Sequence, residues 1–131
     1  MSCAARLTLV ATLFLFTGCK NQLTGTLTIG GQAFTPTSCR NGEAVGFFGV
    51  ELSDATGARL RLVNMPTMQP LVYWFAAGAP TPVQFGQCGV LSITRTNTRI
   101  NNVNNVEGNV ALNCGQGPMA ATGSVQFSNC H

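Results

Sequence analysis

The sequence predicts an all-β domain, an antiparallel β-sandwich or partly closed β-barrel of about seven to nine short strands. Three observations carry that expectation. Beyond the first twenty or so residues there is no helical periodicity, and apolar and polar residues alternate over short stretches. Gly, Pro or Asn stands between those stretches. Charged residues make up only 8% of the chain, against about a quarter in ordinary globular proteins. That excludes a long, highly charged disordered chain. It leaves Thr, Asn, Gln, Ser and Gly to cover the surface, a common style for extracellular β proteins.

The first stretch is "LTGTLTI", Leu23 to Ile29. Next, "GFFGVEL" and "RLRLV" flank "SDATGA", which reads as a hairpin with a glycine-bearing loop. If Leu52 faces Leu60, then Val50 faces Leu62 and Glu51 faces Arg61. The apolar pairs then belong to the core face and the ion pair to the wet one. An exposed cross-strand pair contributes roughly 0.2–1 kcal/mol and is assigned no functional role. "PLVYWFA", Pro70 to Ala76, is a continuous apolar run, followed by "TPVQF" and "GVLSITR". "TNTRINNVNN" reads as a polar bend. "VEGNVALNC", with Glu107 at the start of a strand, and "ATGSVQFSNC" follow. "TGTLTI", "EGNVAL" and "TGSVQF" echo one another, with Gly25, Gly108 and Gly123 each two places before an apolar residue. Strands with one buried face look alike, which accounts for the echo. A second reading makes them neighbours with matched bends at the glycines.

The amino terminus has a different character. "MSCAAR" carries one positive charge, and Leu7 to Phe16 is an apolar run of ten residues. That is too short to span a bilayer core, which takes roughly 20. A basic start, a brief apolar run and small residues at its end are the parts of a secretory signal peptide. Thr17, Gly18 and Cys19 then resemble the lipobox of bacterial lipoproteins. In that family the cysteine thiol is joined to a diacylglycerol, the peptidase cuts just before the cysteine, and the freed amine is often acylated, commonly with palmitate. Phe16 stands where leucine is commonest. The competing reading is an ordinary secretory signal with a chance cysteine. The expected organisation is a signal peptide over 1–18, a lipidated tether over 19–22 and one β domain over 23–131. Several acyl chains on Cys19 hold a protein on a membrane where one chain holds it only reversibly. Lys20, in place of the aspartate that retains enteric lipoproteins in the inner membrane, favours the outer membrane.

Cysteine usage agrees with export. Cys3 leaves with the leader and Cys19 is taken by lipid, so Cys39, Cys88, Cys114 and Cys130 remain. An even number in a small exported domain reads as two disulfides. A metal site needs closer pairs or nearby histidines; these spacings are long, and the one histidine is the terminal His131. Folding "CGVLSITR" back on "EGNVALNC" about the bend near Asn101 sets Cys88 opposite Cys114. Cys39 with Cys130 would then fasten an early loop to the carboxyl end. Four cysteines allow three pairings, and Cys114 with Cys130 fits less well, since those residues lie at opposite ends of the last hairpin.

Catalytic signals are sparse. Net charge is +3, or +2 once Arg6 is removed, and the basic residues are scattered, which argues against nucleic-acid binding. The carboxylates number four, Glu43, Glu51, Asp54 and Glu107. Turn chemistry or strand pairing accounts for Glu51 and Asp54, and no spacing marks a glycosidase-like pair. There is no G-x-S-x-G, H-E-x-x-H or phosphate loop. No enzyme, no cofactor and no metal are expected. Two features suit a binding site. Tyr73 and Trp74, the only tyrosine and tryptophan, sit in "YWF", where neighbouring side chains point to opposite faces and at least one is exposed; core packing is the plainer reading. Asn97, Asn101, Asn102, Asn104 and Asn105 offer amides for a glycan, though Asn is also a good turn former.

The lipobox together with "SCRNGE", "QCGVL", "INNVNNVEGNVALNC" and "VQFSNCH" resembles the small cysteine-containing lipoproteins of myxobacteria, most without an assigned role. The last strands are more loosely similar to the mycobacterial lipoprotein antigen family, whose fold leaves an apolar cleft; the four mature cysteines depart from that family's pattern. The expected function is that of a non-enzymatic envelope lipoprotein, attached to the membrane by its lipid and acting through its surface on an envelope protein or glycan. The alternative is a carrier that holds an apolar ligand or glycolipid between its sheets, with Trp74 near the opening. That alternative requires an apolar cavity of about 300 Å³ or more beside Trp74.

Overall fold

A computed structural model describes residues 20–131. The expected signal peptide over 1–18 and the expected lipidation residue Cys19 lie outside the described residues. Ten strands form two antiparallel five-stranded sheets. They are β1 (Gln22–Ile29), β2 (Gln32–Phe34), β3 (Ser38–Asn41), β4 (Gly49–Ser53), β5 (Arg59–Val63), β6 (Leu71–Phe75), β7 (Val83–Gln87), β8 (Val90–Ile100), β9 (Val103–Cys114) and β10 (Ala121–Cys130). The first sheet has the order β2-β1-β10-β9-β8 and the second β3-β4-β5-β6-β7. The sheets do not close on each other, so the architecture is a β-sandwich and not a barrel.

The count exceeds the expected seven to nine because β2 and β3 span only three and four residues, too few to show alternation. The polar bend is also shorter than expected. Only Asn101 and Asn102 turn, both at positive φ (50° and 65°), the conformation of a two-residue hairpin turn with Asn at both central positions. The flanking polar residues belong to β8 and β9, and Glu107 lies inside β9 opposite Thr94. Side-chain bonds support the irregular stretch: Asn104 Nδ2 donates to the Thr96 carbonyl, and Thr96 Oγ1 to the Asn105 carbonyl. The stretch expected as a tether over 19–22 is partly bound into the fold. β1 begins at Gln22, and Asn21 is already held, its Nδ2 donating to the Asn129 carbonyl at 2.6 Å and its Oδ1 accepting from the Cys39 amide at 3.0 Å.

The three echoing strands are neighbours, β1 against β10 and β10 against β9. Gly25 (φ 116°) and Gly123 (φ 114°) occupy backbone conformations that side chains avoid. A Cβ on Gly123 would also stand 2.7 Å from the Thr26 carbonyl oxygen, and one on Gly25 would overlap the Ser124 carbonyl. The repeated glycines thus allow the neighbouring backbones to approach.

Leu52 pairs with Leu60 and Val50 with Leu62, and all four are fully buried. Leu27, Phe34, Val72, Leu91, Val110 and Val125 meet them from both sheets. Each such side chain contributes about 1.5–3 kcal/mol by leaving water. Two disulfides fasten the layers. Cys39–Cys130 joins β3 of the second sheet to β10 of the first. Cys88–Cys114 ties the link between β7 and β8 to the end of β9.

Candidate functional site

The feature that stands apart from this scaffold is a single row of side chains across the outside of the second sheet. On β4, Val50 and Leu52 point into the core, so Glu51 between them points out. Its neighbours across the strands are Arg40 on β3 and Arg61 on β5. Arg61 in turn faces Tyr73 on β6, and Tyr73 faces Gln84 on β7. One rung, Arg40–Glu51–Arg61–Tyr73–Gln84, therefore crosses all five strands. Arg59 and Phe75, two residues along β5 and β6, form the adjacent outward pair.

Hydrogen bonds organise the row. Arg40 donates from Nε (3.3 Å) and Nη2 (3.1 Å) to Glu51 Oε1. Arg61 donates from Nε (3.1 Å) and Nη2 (2.8 Å) to Oε2. Arg59 Nη1 adds a longer ionic contact of 3.8 Å to Oε2. Gln84 Nε2 donates to the Tyr73 hydroxyl at 3.2 Å. Aromatic faces hold the guanidiniums from the other side. The Arg59 guanidinium carbon lies 4.5 Å from the Phe75 ring centre, and that of Arg61 lies 4.8 Å from Phe47 and 5.3 Å from Phe75.

The expected wet ion pair is thus found in the predicted register but is not wet. The Glu51 side chain is 1% exposed, beneath arginine side chains that are 46% (Arg40), 37% (Arg59) and 27% (Arg61) exposed. Burial alone raises the Glu51 carboxyl pKa. The hydrogen bonds from Arg61 and Arg40, and their charges, outweigh it and hold the group below its ordinary value. One anion shared by three cations leaves the face at net +2. Nη1 of Arg40 and of Arg61 has no partner among the described residues. Sequence spacing identified Arg61 and missed the other two. "RLR" was a usable signal, because residues two apart on a strand share a face.

The two aromatic residues singled out in the sequence separate. Tyr73 belongs to the arginine row. Trp74 points inward, where its ring meets Phe34 edge-on at 5.0 Å and packs against the core. A cavity of about 160 Å³ opens between the sheets at Asn41, Phe48, Asn64, Ile93 and the ion pair of Glu43 with Arg95. It does not border Trp74, and it is smaller than the roughly 300 Å³ at which small-molecule sites begin.

The remaining carboxylates have local roles. Asn41 Oδ1 accepts from the Glu43 amide and caps the short helical turn Gly42–Val45, from which Glu43 reaches Arg95. Asp54 Oδ1 accepts from the Thr56 and Ala58 amides and from the Thr56 hydroxyl, closing the hairpin loop. His131 Nδ1 lies 3.2 Å from the Asn129 carbonyl oxygen. Of the asparagines, Asn101 and Asn102 make the turn. Asn105 is fully buried, its side-chain amide without a hydrogen-bond partner among the described residues. Among the described residues no three of His, Cys, Asp and Glu gather closely enough to hold a metal ion. Comparison with protein-family models, with curated proteins and with solved structures finds no match.

Proposed function

We propose that the protein is a cell-envelope lipoprotein, anchored in the outer membrane by acyl chains on Cys19, that works without catalysis as a surface interaction module. The observation that carries the second half of this reading is the arginine row. Its guanidiniums are pre-positioned by a buried carboxylate and by aromatic rings, and their outer edges are open to solvent. A surface that fixes charged donors before a partner arrives loses less entropy on binding. The first half is supported by the lipobox residues Thr17, Gly18 and Cys19, and by two disulfides of the kind that persist in oxidising compartments. The carrier alternative has less behind it, since Phe34 occupies the space against Trp74.

Intact-mass measurement on protein purified from the membrane fraction of its native cells tests this reading. The expected species starts at Cys19, carries the mass of diacylglycerol with or without a further acyl chain, and is alkylated at Cys39, Cys88, Cys114 and Cys130 only after reduction. A chain recovered from the cytosol with residues 1–18 attached and its thiols free would overturn it.

A further inference from the structure

We propose that the arginine row is the surface on which the anchored domain lies against its membrane, where it binds the phosphates of anionic phospholipid headgroups. The inference rests on the anchored reading above and names the partner of its interaction face. Three observations carry it. The first is charge. Of the six basic residues after the expected leader, Lys20, Arg40, Arg59, Arg61, Arg95 and Arg99, three stand together here around the single carboxylate Glu51. The nearby Asp54 is turned into its own loop by three hydrogen bonds.

The second is reach. Asn21 Oδ1 accepts from the Cys39 amide at 3.0 Å, and Arg40 is the next residue. Two residues of backbone separate Asn21 from Cys19, at most about 7 Å, which puts the Arg40 backbone within about 20 Å of the acyl-bearing residue. Lys20, between Cys19 and Asn21 in the chain, is exposed. A domain tethered so closely must rest some surface on the headgroups, and this one is the basic candidate beside the tether.

The third is chemistry. The planar guanidinium suits a phosphate, and Nη1 of Arg40 and of Arg61 is not engaged by Glu51. Tyr73 in the same face is a residue type that settles at the headgroup level. The outward positions of β1 and β10 offer hydroxyls and amides and lack these donors.

The test uses the native lipidated chain, oxidised, in nanodiscs of phosphatidylcholine alone or with a third phosphatidylglycerol. Accessible guanidiniums are trace-labelled with phenylglyoxal and located by mass spectrometry. Labelling of Arg40 and Arg59 falls about fivefold in the anionic nanodiscs, the population change of roughly one basic contact, whereas Arg99, on β8 of the other sheet, labels equally in both. Equal labelling of Arg40 and Arg59 in the two nanodiscs overturns the proposal. So does protection by soluble polygalacturonate in detergent micelles without protection in anionic nanodiscs, which would make the partner an acidic glycan. A chain without acyl mass that never enters either nanodisc marks the separate failure of the anchor.

Discussion

The outer faces of the two sheets rest on one scaffold and have opposite chemistries. On the first sheet the outward positions of β1 and β10 are Thr24, Thr26, Thr28, Thr122, Ser124 and Gln126, and β9 adds Asn109 and Asn113. All of these are exposed and uncharged, and Glu107 is the charged residue of that face along β9. On the second sheet the outward positions hold Arg40, Glu51, Arg59, Arg61, Tyr73 and Phe75. The inner faces are interchangeable in kind, with Leu, Val and Phe on both. Burial demands apolar residues inside and leaves the outside free. A neutral hydroxyl and amide face is sufficient for solubility. Concentrating scarce charge on the other face, including a buried carboxylate, is a cost that solubility does not require.

The most damaging way to break the comparison is to loosen the joint that makes the faces parts of one body. Cys39–Cys130 closes a separation of 91 residues and is the covalent link from β3 to β10. The chain-entropy estimate for such a loop is about 4.5 kcal/mol, and for the 26-residue separation of Cys88–Cys114 about 3.5 kcal/mol. Both are large beside the roughly 5–15 kcal/mol net stability of a domain. Reduction with dithiothreitol is expected to unfold the sandwich, read as loss of near-ultraviolet dichroism. The double substitution Cys39→Ala, Cys130→Ala should lower the urea midpoint more than the Cys88→Ala, Cys114→Ala pair. Spectra unchanged by reductant would show that packing alone holds the sheets together.

A smaller change separates the faces directly. Glu51→Ala removes the acceptor of four hydrogen bonds and leaves three arginines facing one another. A loss of about 2–4 kcal/mol is expected, at the scale of breaking a buried ion pair whose partners still reach water. Ser124→Ala, outward on the middle strand of the other sheet, should stay within about 0.5 kcal/mol of the parent. Equal effects by urea denaturation would mean that the arginine row is no more structured than the hydroxyl face.

The register of that row was legible and its burial was not, for physical reasons. Alternation in "GVEL" and "RLRLV" around a glycine-bearing loop admits one pairing that buries both leucine pairs, and a slip of one residue would turn every side chain over. The pairing of Cys88 with Cys114 was legible in the same way, from two strands folded about Asn101. Alternation says only that Glu51 points away from the core. Whether it meets water depends on Arg40, which sits in a four-residue strand with no pattern of its own, and on Phe47, which sits in a loop. Both come from outside the hairpin. The asparagine-rich stretch reads as a bend for a similar reason: eight of its ten residues lie in strands, and most carry polar side chains that look like turn formers until their hydrogen bonds are seen.

Acid provides the finest test of the difference, because the second sheet's face holds a carboxyl that binds its proton less readily once the chain folds. The Glu51 carboxyl has its pKa raised by burial and lowered further by Arg61 and Arg40, so the folded value lies below the ordinary 4.5. The unfolded chain therefore binds this proton more readily than the folded one at intermediate pH. The ion pair's contribution is complete above the unfolded value and is lost as pH falls from there through the folded value. Stability of the parent, from urea midpoints at stepped pH, should hold down to about pH 5 and then decline as Glu51 protonates beneath Arg40, Arg59 and Arg61. Glu51→Gln keeps the shape of the side chain and removes the proton, so its curve should start lower and lose this acid slope. Ser124→Ala should track the parent throughout. A slope that survives in Glu51→Gln would show that the acid sensitivity does not come from the buried carboxylate and leave it a packing element with no electrostatic advantage over its neutral isostere.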